Sequence, residues 1–100
     1  MFWKESFLEK MRKEWLRRIA KIQYCTDGKW YDAVITEKNI AGNTLRVKSI
    51  TSDNEAMTIT AVRIIDISGD IAGECTENIT KSASQGILTL WEFPIYEVEV

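Results

Sequence analysis

The apolar positions of this chain change period near Ile22. Before it, Trp3, Phe7, Leu8, Met11, Trp15, Ile19 and Ile22 recur at three- and four-residue steps, which places them on one face of an α-helix. Lys4, Glu5, Glu9, Lys10, Arg12, Lys13, Glu14, Arg17, Arg18 and Lys21 fill the other faces, so residues 1–22 read as one amphipathic helix. Ser6-Phe7-Leu8-Glu9 has the form of a capping box. Glu9–Lys13 and Glu14–Arg18 are i,i+4 pairs in the favourable order, and Arg17, Arg18 and Lys21 suit the negative end of the helix dipole. An apolar stripe beside a small β-core is normally buried. Trp15 is therefore expected among the most buried residues, with Trp15→Ala costing about 3–5 kcal/mol.

Beyond Ile22 the pattern alternates as β-strand does. Ile22–Cys25 predicts a short strand, and Thr26-Asp27-Gly28-Lys29 a turn whose Asp-Gly supplies positive φ. Trp30–Glu37 predicts a second strand, Lys38–Asn43 a turn, and Thr44–Ile50 a third strand with Leu45 and Val47 facing in. A polar hairpin loop follows at Thr51–Glu55, then a long β-branched strand over Met57–Ile67, bent where Ile64-Ile65 breaks the alternation. Ser68–Gly86 shows little periodicity and predicts a solvated loop, ending in a flexible connector at Ser82–Gly86. Ile87–Phe93 and Ile95–Val100 are strand-like on either side of Pro94, which cannot donate to a ladder.

The segment Cys25-Thr26-Asp27-Gly28-Lys29-Trp30-Tyr31-Asp32-Ala33-Val34-Ile35 resembles the opening hairpin of Tudor-like barrels, small barrels of the Src-homology type. The resemblance covers residues 22–67 and implies a fold more than an activity. Tudor readers hold methylated Lys or Arg in an aromatic cage. Tyr31 and Trp30 match the aromatic positions of the first hairpin, whereas the second hairpin, Thr51–Glu55, carries no ring, and a cage needs several.

Composition narrows the reading. One hundred residues make one domain with a modest core. The net charge of −2 is uneven: residues 1–22 hold seven Lys/Arg and three Glu, and the remainder six Lys/Arg and twelve Asp/Glu. The basic part either rests on its own acidic barrel or serves as an arm for nucleic acid or an anionic membrane. The acidic remainder favours the first. Without His, neither a Ser-His-Asp nor a Cys-His arrangement can form, and no P-loop is present. Cys25 and Cys75 cannot complete a zinc site and are expected to be reduced. The Asn78-Ile79-Thr80 sequon matters only in a secretory compartment. No run is apolar enough to span a bilayer and no signal peptide is evident, so the expected location is cytoplasmic, or the virion for a phage-derived chain.

These readings converge on an α+β fold: an N-terminal amphipathic helix (1–22), a mostly antiparallel small β-barrel of five to six strands with its meander over 22–67, a loop and connector (68–86), and a C-terminal strand extension (87–100). The expected function is a non-enzymatic protein–protein interaction or assembly module, with a nucleic-acid-binding small barrel as the alternative. No catalytic residue, metal ligand or cofactor is identified. Candidate partner-binding residues are Trp30, Tyr31, Trp91, Phe93 and Tyr96, and the candidate basic face is Arg12, Lys13, Arg17 and Arg18. The last segment either folds back to complete the barrel or reaches out to pair with another chain. Rings such as Trp91 and Phe93 favour association, in a homo-oligomer or a multi-subunit assembly.

Overall fold

A computed structural model of the chain describes residues 1–51 and 55–98. Part of the expected hairpin loop at Thr51–Glu55 and the alternation at Glu99 and Val100 therefore lie outside the described residues. Helix α1 spans Glu5–Arg18. It begins one residue before the expected capping box, on an extended Lys4 with no side-chain cap, and Ser6 sits inside the first turn. The helix also ends earlier than expected. Ile19 is extended and opens strand β1, Ile19–Thr26, with no loop between them. The Arg18 carbonyl, left without an intrahelical donor, accepts from Ile67 N at 3.0 Å. The Arg18 guanidinium grips both oxygens of Asp66 at 2.9 and 2.7 Å. Glu14 is thus left to Arg17 rather than to Arg18.

The remaining strands are β2 (Lys29–Asp32), β3 (Val34–Ala41), β4 (Thr44–Thr51), β5 (Met57–Asp66), β6 (Ile71–Lys81) and β7 (Ile87–Pro94). The fold is α+β, one N-terminal helix followed by seven antiparallel strands in two sheets. The first sheet has the order β2-β1-β5-β6 and the second β3-β4-β7, so in place of the expected small barrel of five to six strands the seven strands form two sheets that do not close on each other. The strand expected over Trp30–Glu37 divides at Ala33, where the chain passes from the first sheet to the second while Ala33 N still bonds Ile22 O at 2.8 Å. β3 then runs to Ala41, through most of the expected turn, leaving Gly42 (φ 62°) and Asn43 to reverse the chain. Asp27 (φ 51°) and Gly28 (φ 74°) form the tight turn their sequence predicts, both in the left-handed region as a type I′ hairpin requires.

The largest departure is β6. The expected loop over Ser68–Gly86 contains the longest strand, eleven residues paired with β5. Its inner positions are Cys75, Glu77, Ile79 and Lys81, so two charged side chains conceal the alternation. Lys81, only 2% exposed, donates to Glu55 O at 2.6 Å and to Ser82 O. The connector is likewise a closed turn, with Gln85 N on Ser82 O and Ser82 N on the Gln85 side chain. The long β5 bends as expected, with register shifts near Thr60 and at Ile64/Ile65.

β7 folds back. It pairs with β4 from Thr44↔Pro94 to Thr51↔Ile87, which decides between the two arrangements open to the C-terminal segment. The core lies between the sheets and comprises Ile19, Ile22, Tyr24, Val47, Ile59 and Val62, with Leu16, Ile64, Cys75 and Trp91 packed against it. Cys25 and Cys75 are both free. Tyr24, Val62 and Cys75 share a face through their register, which puts Cys25 on the other. Among the described residues no helix is long and apolar enough to cross a membrane.

Candidate functional site

Helix α1 carries two neighbouring rows at i,i+4 spacing, and the sheets accept only one of them. Leu8, Arg12 and Leu16 turn inward, followed by the buried Ile19 at the start of β1. Trp3, Phe7, Met11 and Trp15 remain exposed, Trp15 by 55%. The expectation of a buried Trp15 is thus overturned. The physical reason is Arg12, which lies on the inner row and is 2% exposed. Its Nε donates to Ile95 O at 3.0 Å and its Nη1 to Glu5 at 2.6 Å, with Glu9 at 3.7 Å. These partners satisfy a cation that burial would otherwise penalise. They fix the helix's roll with the aromatic row outward.

The N-terminus extends the row. Phe2 packs edge-on against Trp3, and Trp3 stacks on Phe7, both with ring centroids 4.9 Å apart. The Glu97 carboxylate accepts from the backbone of Phe2 at 2.7 Å and of Trp3 at 2.9 Å. Those two N–H donors hold its carboxyl below the usual carboxylate range. The tail beyond β7 is thereby tied to the residues before the helix through Glu97 and to the middle of the helix through Ile95.

Beside the outward row runs an apolar groove of about 670 Å³. Met11, Trp15 and Ile19 form its helix side, Ala72 and Gly73 of β6 the opposite lip, and Ile64, Phe93 and Ile95 complete the lining. Glu14, Arg18 and Asp66 supply its polar groups. A smaller pocket of about 160 Å³ shares Ile64, Gly73 and Phe93 with it and continues between β5, β6 and β7 past Cys75 and Trp91. Burial pushes the Cys75 thiol above its ordinary range, with Glu77 adding to the effect. The lining therefore follows the gap between the edges of the two open sheets, β6 and β7.

The sequence candidates divide. Phe93 belongs to the groove, and Trp91, half-buried, packs on the core and stacks on Phe93 at 6.2 Å. Tyr96 is exposed in the tail. Trp30 and Tyr31 lie on opposite faces of β2. Arg63 sits 4.0 Å over the Trp30 ring, held by Gln23, which in turn bonds Asp32. Tyr31 stacks on Tyr24 at 5.7 Å. The two do not converge on one cage. The basic face also breaks up. Arg12 is buried, Arg17 forks onto Glu14, Arg18 onto Asp66, and Lys13 lies 3.9 Å from Glu9. The outward row and the β6 lip were not among the candidates. The signal that could have found the row is the arginine interrupting the other one. Compared with known proteins, the chain matches no family model, no curated protein and no solved structure.

Proposed function

We propose that the protein is a non-enzymatic protein–protein interaction or assembly module, a structural subunit of the kind that builds phage heads and tails, working in the cytoplasm or the virion. Its contact surface is the outward row of α1 and the groove beside it. The observation that carries this reading is the exposure of Phe7, Met11 and Trp15 along one face of α1, with Trp3 just before the helix exposed beside them. Soluble monomers seldom leave a contiguous apolar patch of this kind uncovered. Aromatic residues and Met are the types enriched at interface cores.

The proposed surface differs from a strand lent to a neighbour, because β7 is paired along its length with β4 of its own chain. Residues 22–67 remain a proposed relative of Tudor-like barrels in sequence pattern, without a cage role for Trp30. Nucleic-acid binding is less well supported, since Arg12, Arg17 and Arg18 each engage acidic or carbonyl oxygens of the same chain. A photoreactive side chain placed at position 15, in the cells from which the protein comes, tests the reading. Intermolecular protein adducts at position 15 that are absent from the same probe at Lys29 support it. Adducts at Lys29 alone would sink it.

A further inference from the structure

We infer that the groove between α1 and β6 is the interface with a second copy of this chain. The inference rests on the assembly reading above and names its partner. The two copies are related by a two-fold axis along the groove, so that the aromatic row of each enters the groove of the other.

The surface area supports a missing partner of definite size. The chain exposes 6627 Å². A compact monomer of 11.5 kDa exposes about 5,800 Å² by the scaling of surface with mass. The excess of about 800 Å² is spread over an elongated chain and leaves area enough for one partner's share of a standard interface. The radius of gyration is also large, 15.6 Å against about 13 Å for a compact chain of this length.

Charge points to a second copy. Residues 1–18 carry six Lys/Arg and three Glu, whereas residues 66–98 carry one Lys and six Asp/Glu. Glu14 and Arg18 on the helix side are already paired with Arg17 and Asp66, whereas Lys10, one turn before Glu14, and Glu74, next to Gly73, form no ion pair among the described residues. A two-fold axis along the groove carries the Lys10 side of each copy towards the Glu74 side of its mate. Shape matches in the same way. Trp15 projects from one wall, and the opposite lip has Gly73, where an added Cβ would meet nothing within 4 Å. Reciprocal matching of this kind is what an isologous contact requires. An anionic bilayer is flat and would meet the acidic lip, so it fits the groove less well.

Sedimentation equilibrium of the full chain from micromolar to millimolar concentration tests the proposal. The expected result is a mass approaching twice 11.5 kDa. Trp15→Glu and Gly73→Leu should each raise the dissociation constant by about tenfold or more, while the far-face variant Leu88→Glu leaves it unchanged. Gly73 has no positive φ and open space above it, so Gly73→Leu fills the groove without disturbing the strand and covers the case in which Trp15→Glu misfolds. A dimer broken by Leu88→Glu but not by the two groove variants would overturn the site. A monomer at every concentration would overturn the second copy. In that case binding to phosphatidylglycerol vesicles would identify a lipid surface instead, and position-15 adducts with another protein would leave the assembly reading standing without this partner.

Discussion

Arg12 Nε donates to the carbonyl oxygen of Ile95 across 3.0 Å, joining the middle of α1 to the chain just beyond β7. The two residues are 83 positions apart in sequence. Because Arg12 is buried while its carboxylate partner Glu5 remains largely in water, the contact works less as an ion pair than as a charged pin on the Ile95 carbonyl.

Arg12→Ala should therefore destabilise the fold by about 2–3 kcal/mol, the range for losing a hydrogen bond to a charged group together with buried side-chain volume. Arg12→Met should recover part of the loss, since its stem refills the site. Denaturant titration of the two variants checks this. Equal and negligible losses would show that the helix is not held through Arg12.

Trp15→Ala should cost less than about 1 kcal/mol of folding stability, as exposed substitutions do. The measurement belongs at a concentration low enough for the chain to be monomeric, because partner binding adds to apparent stability. A loss of about 3 kcal/mol or more would place Trp15 in the core.

Glu97 gives a pH signature. Its folded-state pKa is lowered, chiefly by the Phe2 and Trp3 N–H donors. A lowered carboxylate pKa contributes stability that is present above the unfolded value and disappears as pH falls through the folded one. Wild type should therefore be more stable than Glu97→Gln at neutral pH, and the difference should shrink on acidification below the ordinary glutamate value of 4.5. A difference that stays constant down to strongly acidic pH would rule out the carboxylate as its source.

Removing residues 87–100 should abolish cooperative unfolding instead of merely preventing association. β7 supplies the whole free side of β4 and carries Trp91 onto the core. Thermal unfolding followed by circular dichroism distinguishes the outcomes. A truncated chain with a sharp native-like transition would mean the segment is dispensable to the fold.

Local pattern and tertiary structure divided the determination of this molecule between them. Asp27-Gly28 dictated a left-handed turn, because few other pairs tolerate positive φ at both positions. The alternation of Thr44–Ile50 dictated that Leu45 and Val47 would be buried, and both are. The three- and four-residue spacing before Ile22 dictated a helix, though not its end, since no glycine stops it and Ile19 is as suited to a strand. What sequence could not decide was which of two adjacent helix rows would face the sheets. That choice belongs to Arg12, whose acceptor at Ile95 exists only once β7 has paired with β4. The same holds for β6. Lys81 and Glu77 read as solvent-facing until the chain brings the Glu55 carbonyl over the Lys81 ammonium. A buried charge is legible only with its partners, and Ile95 for Arg12 and Glu55 for Lys81 come from distant parts of the chain.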